Sequence, residues 1–317
     1  MKTNTIILEG GLGNRMRVAA AAYTMAQRTG IPMRVLWTKQ WGMNCRFEDL
    51  FEADPADPPP ALPIREGAVT NDSCKADACS EHSTPSLTGR AGGGSAKASF
   101  SLRDARGFER FFFSRPTLQN LWLPRLLQRL RYRHIILSPQ IYYLQRDGFD
   151  FEAWFRQGGT LMTAYRDFCP WDDSLIPLLF RPLPAIEQEV NNRAAAFTAY
   201  TIGLHIRRTD NQASIDASPD ELFFEVVDRE LALHPDLHVY LATDDEPTKA
   251  LFRQRYGTDR IQTAPAQASR DSVSGIREAL MEMLLLARTR HVYGSASSTF
   301  SEMAVKFTGI PLTILKK

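Results

Sequence analysis

The segment His205-Ile206-Arg207-Arg208-Thr209-Asp210 places a histidine, two arginines and a carboxylate at the end of an apolar run. Residues 200–206 are predicted to form a buried strand, in which alternate residues face one side, so His205 and Arg207 point together. A guanidinium matches phosphate oxygens bidentately and stays charged at any working pH. The cluster therefore predicts a binding site for a phosphorylated ligand. In the alternative interpretation, Arg208 holds the fold by pairing with Asp210 or another acid.

A glycine turn, Gly10-Gly11-Leu12-Gly13-Asn14, follows the short apolar strand 6–8 and opens a helix. Glycines let a ligand approach the backbone, and a helix N-terminus attracts anions. No Gly-Lys-Ser/Thr follows, so the turn is not a Walker loop. A nicotinamide dinucleotide site is disfavoured because Met16 replaces the third glycine and Trp37-Thr38-Lys39 offers no acid for a ribose. The turn is either a second phosphate contact or a plain tight turn.

Two further polar clusters follow strands in the second half of the chain. Thr243-Asp244-Asp245-Glu246 could give a carboxylate to a ribose or a guanine N–H, or could cap the next helix. Ser297-Ser298-Thr299-Phe300-Ser301 could cradle a phosphate, or could cap the last helix. Glu278 and Glu282 are candidate ribose partners, although we expect them on a solvated helix face. The acids lack the spacing of an Asp-x-Asp metal motif, so we predict no metal site.

Strands and helices alternate along both halves of the chain, which is typical of an α/β fold. We predict two Rossmann-like domains, residues 1–184 and 185–317, with a cleft between them and an irregular insertion at about residues 53–107. Residues 111–113 and 134–137 are predicted as strands, and residues 126–130 as part of a helix. Ligands of open α/β sheets bind beyond the carboxyl ends of the strands. All four clusters lie at such ends, which predicts one composite site.

The composition is that of a folded soluble protein, with 44% hydrophobic and 23% charged residues and a formal net charge of +2. So small a charge gives no global attraction to nucleic acid, and any positive site must be local. We expect no transmembrane segment or signal peptide, and hence a cytoplasmic location, with peripheral membrane association left open. The four cysteines, Cys45, Cys74, Cys79 and Cys169, form no CxxC pair, and we expect free thiols.

Taken together, the motifs resemble those of a fucosyltransferase superfamily. Residues 10–16 resemble its N-terminal loop. Residues 205–210 resemble the signature shared by α1,6-fucosyltransferases, the nodulation fucosyltransferase of rhizobia, α1,2-fucosyltransferases and protein O-fucosyltransferases. Residues 242–245 and 298–301 resemble its later motifs, in the same order. Residues 53–107 match no part of the pattern, and the coiled-coil and SH3-like domains of the α1,6 enzymes have no counterpart here.

The resemblance implies a GT-B-like fold and an inverting, metal-independent transfer of fucose from GDP-fucose to a glycan acceptor, with no other cofactor. It implies that Arg207 neutralises the leaving diphosphate. Asp210 and Asp216 are candidate bases by position only. A transferase of the same fold using another nucleotide sugar stays open, as do a non-catalytic nucleotide-sugar-binding protein and the oligomeric state. The residues predicted to bind the donor are Gly11, Gly13, Asn14, Arg15, His205, Arg208, Asp244, Asp245, Ser298, Thr299, Phe300 and Ser301.

Overall fold

A computed structural model describes residues 2–40, 42–52, 99–115, 117–209, 211–264 and 269–317. The described strands form two five-stranded parallel sheets, with the orders β3-β2-β1-β5-β4 and β10-β9-β6-β7-β8. The first sheet comprises β1 (Asn4–Leu8), β2 (Met33–Trp37), β3 (Phe100–Asp104), β4 (Ile135–Ile136) and β5 (Leu161–Ala164). The second comprises β6 (Thr201–Ile206), β7 (His238–Thr243), β8 (Ile261–Thr263), β9 (Val292–Ser295) and β10 (Leu312–Leu315). The predicted α/β, GT-B-like architecture is confirmed.

Helices connect the strands in both halves. The first half contains α1 (Leu12–Thr29), a 3-10 turn (Phe47–Asp49), α2 (Phe108–Phe112), α3 (Leu123–Arg131), α4 (Ser138–Arg146), α5 (Phe151–Arg156) and α6 (Leu175–Leu179). The second contains α7 (Pro184–Ala194), α8 (Gln212–Ala217), α9 (Asp220–Leu233), α10 (Glu246–Tyr256), α11 (Val273–Leu286) and α12 (Thr299–Lys306). In the part of the chain that the structure describes, no helix is long and apolar enough to cross a membrane.

Helix α1 is the packing centre of the molecule. It begins after Gly10, whose φ of 79° suits only a residue without a side chain, and it ends at Gly30 in the left-handed conformation. The alanines at positions 19–22 are fully buried, so neighbouring elements approach α1 closely. One hydrophobic cluster is continuous from α1 to α11 and α12 of the second sheet. Since this core spans both halves, the domain boundary after residue 184 stays a prediction.

Two predictions about the first half are wrong. Residues 111–113 were expected in a strand, but Phe111 and Phe112 lie in helix α2, and Phe113 follows it. Tertiary contacts decide this, because Glu109 of α2 accepts hydrogen bonds from Arg34 and Arg103 on β2 and β3. Part of the predicted irregular region, residues 100–104, is strand β3 at the sheet edge. Residues 53–98, including Cys74 and Cys79, lie outside the described residues.

Candidate functional site

Both sheets change strand order next to their central strand, and the predicted site residues lie at these two points. In the second sheet, β6 has β7 on one side and β9 on the other. In the first, β1 lies between β2 and β5. The carboxyl ends of strands at such a switch point leave a crevice in which α/β proteins bind ligands.

Asp244 connects the loop after β7 to the loop after β6. Its Oδ1 accepts a hydrogen bond from the Arg208 backbone N–H at 2.8 Å, and its Oδ2 accepts one from the Thr209 hydroxyl at 2.6 Å. Burial raises the pKa of Asp244, but these hydrogen bonds and the nearby Arg207 outweigh that effect, so the pKa lies below its ordinary value. The carboxylate is therefore ionised at neutral pH and fixes the start of the arginine loop.

The loop after β9 joins the same network. The Ser295 hydroxyl accepts a hydrogen bond from the Arg207 backbone N–H at 3.1 Å, and the Asn211 side chain donates to the Ser297 carbonyl at 3.2 Å. Three clusters that are distant in the sequence therefore meet, as the composite-site prediction requires. The side chain of Arg207 is half-buried at this junction.

His205 lies beneath Arg207 as a neutral imidazole. Its ring stacks on Phe300 with the centroids 4.8 Å apart, and its Nδ1 has no hydrogen-bond partner among the described residues. Burial, with a further contribution from the positive charge of Arg207, lowers its pKa to about 3. At neutral pH the ring can therefore support the site or share a hydrogen bond, but it adds no positive charge.

Helix α12 begins at this junction without a side-chain cap. Ser298 occupies the N-cap position, but its hydroxyl makes no capping hydrogen bond. Ser297 has a φ of 57°, a left-handed conformation that is costly for a residue with a side chain and that turns the backbone into α12. The hydroxyl of Ser301, in the first turn, is buried and has no partner among the described residues. Uncapped N–H groups and hydroxyls are the groups that bind an anion.

The glycine turn of the first half faces this helix end. A Cβ atom placed on Gly13 would lie 3.1 Å from the Thr299 carbonyl oxygen and 3.1 Å from its hydroxyl, so a side chain there would require α12 to shift by a few tenths of an ångström. The Thr299 hydroxyl also donates to Oδ1 of Asn14 at 3.4 Å. A Cβ on Gly11 would meet nothing within 4 Å. The N-terminal motif and the 298–301 motif therefore meet at one seam.

Three residues predicted to bind the donor make hydrogen bonds within the chain, and their role toward a donor stays a prediction. The guanidinium of Arg15 is buried, donates to the carbonyls of Gly10 and Thr38, and lies 4.7 Å from the centroid of the Trp37 ring. Burial lowers its pKa to about 9. Arg15 thus supports the glycine turn from below. An arginine next to a glycine turn suggested a ligand contact, because the sequence does not reveal that this side chain is buried.

Arg208 and Asp245 are the other two. The guanidinium of Arg208 pairs with Asp220 and also donates to the carbonyls of Ser218 and Arg207, at 2.9 Å each. This is the fold-holding alternative considered above. The carboxylate of Asp245 accepts hydrogen bonds from the backbone and the hydroxyl of Thr248, so it caps α10.

The structure describes only one of the two candidate bases. Asp210 lies outside the described residues, so its role stays a prediction. Asp216 is exposed on α8, and its carboxylate accepts a hydrogen bond from the Gln212 side chain at 2.7 Å.

Glu278 and Glu282 are buried on α11, so their predicted solvated position is wrong. Glu278 pairs with Arg193. Glu282 has one carboxylate oxygen, Oε1, without a hydrogen-bond partner in the described parts of the chain. Burial raises the pKa of Glu282 to about 8, with Lys249 opposing the rise and Glu278 adding to it. Two acids four residues apart in a mostly apolar helix were the sequence signal for this buried position.

We expect the Glu282→Gln variant to lose much of the pH dependence of stability. In the folded protein Glu282 keeps its proton up to about pH 8, whereas its ordinary pKa is 4.5. The folded state therefore binds more protons between these values, and its stability falls as the pH rises through them. At about pH 9 the variant should be more stable than the unmodified chain by on the order of a few kcal/mol.

Urea unfolding of both proteins at about pH 5 and pH 9 measures this difference. Glu225→Gln, on the exposed side of α9, is the matched control. Parallel stability curves for Glu282→Gln and the unmodified chain across this range would show that Glu282 ionises normally.

A cavity of about 740 Å³ lies at the carboxyl ends of β2 and β3. Its lining includes Lys39 and Gln40 after β2, Asp104 and Ala105 around the end of β3, and Val273 at the start of α11. Neither Arg207 nor residues 298–301 are among its lining residues, so it is separate from the junction at the start of α12. The sequence prediction missed this cavity because it placed Asp104 in an irregular region.

Comparison with known proteins identifies the fold. No protein-family model and no curated protein sequence matches the chain. Among solved structures, the NodZ α-1,6-fucosyltransferase soaked with GDP-fucose aligns with a TM-score of 0.57 and 16% identity, over 97% of this chain and 93% of that one. NodZ from Bradyrhizobium gives 0.56 and 16%, over 96% and 92%. POFUT1 in complex with GDP gives 0.52 and 10%, over 99% and 98%. The chain therefore has the fold shared by these fucosyltransferases.

Proposed function

We propose that this chain is an inverting, metal-independent glycosyltransferase that transfers fucose from GDP-fucose to a glycan acceptor. The observation that carries the proposal is the junction at the switch point of the second sheet. There the backbone N–H of Arg207 donates to the Ser295 hydroxyl, a few residues before the uncapped N-terminus of α12, and Gly13 and Asn14 contact Thr299 from the first half. Structures with the same fold contain GDP or GDP-fucose.

The donor's diphosphate would lie between the Arg207 guanidinium and the first turn of α12. Negative charge develops on the diphosphate as the bond to the sugar lengthens. A fixed guanidinium and oriented N–H groups stabilise that charge more in the transition state than in the ground state, which accelerates the reaction. This cationic and dipolar site is our reason for proposing that no metal ion is needed. Activity that survives a chelator would support that part of the proposal.

Asp244 and Glu282 are our candidates for recognising the guanosine. A carboxylate accepts hydrogen bonds from ribose hydroxyls and from guanine N–H groups. Asp244 is ionised beside Arg207, and its charge contributes to the raised pKa of Glu282, which places the two side chains near each other. The unsatisfied oxygen of Glu282 is the kind of buried group that a ligand donor can complete.

The cavity on the first sheet is our candidate acceptor site. It lies at the carboxyl ends of β2 and β3 in the first half, whereas the proposed diphosphate site lies in the second half. Asp210 is the proposed base, and Asp216 is the second candidate, because both follow the strand that carries Arg207.

Thermal unfolding in the presence of GDP, UDP and ADP tests the donor class. A nucleotide that binds only the folded state at about 100 times its Kd stabilises it by about 2.7 kcal/mol. We expect selective stabilisation by GDP, and GDP release from GDP-fucose when an acceptor is supplied. Stabilisation by UDP or ADP alone would assign another nucleotide sugar. GDP binding without sugar transfer across a glycan acceptor panel would favour the non-catalytic alternative.

A further inference from the structure

Residues 110–146 contain seven arginines and no aspartate or glutamate. The chain as a whole is balanced, with 38 basic and 36 acidic residues, so this positive charge is a local concentration. The segment includes α3 and α4, which precede and follow β4, the edge strand of the first sheet. Arg115 pairs with Glu9 and Arg146 with Asp147, whereas Arg125, Arg129 and Arg133 form no ion pair within the described part of the chain. A cluster of such arginines produces a positive potential that attracts an anionic partner.

Helix α3 places its apolar side chains toward solvent. Leu123, Leu126 and Leu130 form one stripe at helical spacing, and they are 41%, 55% and 76% exposed. The side of the helix that packs on the protein carries Pro124 and Gln128 instead, and the Gln128 side chain donates to the Phe112 carbonyl at 2.7 Å. A surface helix normally buries its apolar stripe, so this reversed arrangement marks a surface that is covered by something else.

The apolar stripe continues into the turn before α3. Leu118 and Leu121 are 82% and 83% exposed, and Trp122 is 57% exposed. Leu121 and Trp122 both have left-handed backbones, with φ of 51° and 56°. Such conformations are costly for residues with side chains, and here they accompany large apolar groups at the surface.

A pocket of about 490 Å³ lies beside the stripe. Arg125, Arg129 and Arg133 line it together with Tyr132 and Gln140, and no acidic residue is among its lining residues. Burial and, after it, the repulsion from the neighbouring charge of Arg129 lower the pKa of Arg125, while Glu9 opposes this shift. A bound phosphate would relieve that repulsion, since arginine forks match its oxygens.

We propose that this face docks on an anionic lipid bilayer, with the leucines and Trp122 in the headgroup boundary and a lipid phosphate in the arginine pocket. The combination of an apolar stripe, an interfacial tryptophan and flanking arginines is that of helices lying in the plane of a membrane surface. A nucleic acid would satisfy the arginines but would leave the leucine stripe exposed. A second copy of the chain would bring the same arginines together.

Docking would also place the acceptor cavity at the membrane. Residues 113–115, 117 and 120, which lead into Leu121, line the 740 Å³ cavity. Its rim is thus continuous with the proposed docking face. This step rests on the proposed function: the acceptor would be a glycan carried by a lipid.

Co-sedimentation of the full chain with vesicles tests the docking face directly. The vesicles contain either phosphatidylcholine alone or phosphatidylcholine with phosphatidylglycerol. We expect binding to the anionic vesicles, weakened by salt. Each arginine near an anionic surface contributes about fivefold to binding, so the triple variant Arg125→Gln, Arg129→Gln, Arg133→Gln should bind about a hundredfold more weakly. A second variant, Trp122→Ser, Leu126→Gln, Leu130→Gln, should also lose binding.

The matched controls are Leu233→Gln and Arg255→Gln, which change an exposed leucine and an exposed arginine of the second half. Circular dichroism and melting temperature confirm that each variant is folded. The docking proposal is overturned if the unmodified chain does not co-sediment with anionic vesicles. It is also overturned if both triple variants bind these vesicles with the affinity of the unmodified chain. It is also overturned if the leucine variant instead converts a dimer to a monomer. GDP binding is measured separately, so loss of docking leaves the proposed transferase function untouched.

Discussion

Replacement of Arg207 by alanine should lower the rate of fucose transfer by at least about 10²–10³ while leaving the melting temperature almost unchanged. In the proposed mechanism the guanidinium faces negative charge that grows only as the sugar leaves. Removing it therefore destabilises the transition state more than the ground-state complex. The side chain is half-buried, so its loss creates little cavity in the core.

Steady-state release of GDP and thermal unfolding, measured on the same preparation, separate the two effects. Arg207→Lys should recover part of the activity, because it keeps the charge but loses the planar fork. Arg255→Ala, at an exposed ion pair with Asp228, is the control for removal of an arginine. Normal turnover by Arg207→Ala would remove the basis of the proposed mechanism.

Replacement of the adjacent Arg208 by alanine, unlike that of Arg207, should destabilise the fold. We expect the free energy of unfolding to fall by about 3–5 kcal/mol. Its side chain is 11% exposed and binds Asp220 and two backbone carbonyls. Arg208→Ala leaves Asp220 as a partly buried carboxylate without its cation, and leaves the carbonyls of Ser218 and Arg207 without this donor. Urea unfolding measures the cost.

A double replacement tests whether the cost arises from the broken pair. Arg208→Met combined with Asp220→Leu removes both charges, and it should recover much of the stability, because apolar pairs often replace buried ion pairs at little cost. Asp220→Asn alone should be destabilising. If Arg208→Ala unfolds at the same urea concentration as the unmodified chain, the ion pair does not hold this loop.

The contrast between these neighbours shows what sequence could predict. The apolar strand before them and the alternation of its side chains were enough to place Arg207 at the end of β6. The partner of Arg208 could not be predicted, since Asp220 is brought back to it only by the turn after α8. The motif therefore identified the cluster, and the tertiary structure shows that Arg208 is bound within the fold.

Other features depended on contacts that are distant in sequence. The phenylalanines at 111–113 suit a strand by propensity, but the ion pairs of Glu109 with β2 and β3 fix a helix there. Gly13 and Thr299 lie against each other although they are almost 300 positions apart in the sequence. No local sequence pattern indicates that two such residues are in contact. By contrast, the alternation of strands and helices could be predicted, because it depends on the spacing of apolar residues within short segments.

A crystal structure of the chain with GDP would show where the diphosphate binds. We predict that its oxygens lie within hydrogen-bonding distance of the Arg207 guanidinium and of N–H groups in the first turn of α12. GDP bound instead in the cavity beside Lys39 and Asp104, with Arg207 making no contact to phosphate, would contradict this prediction.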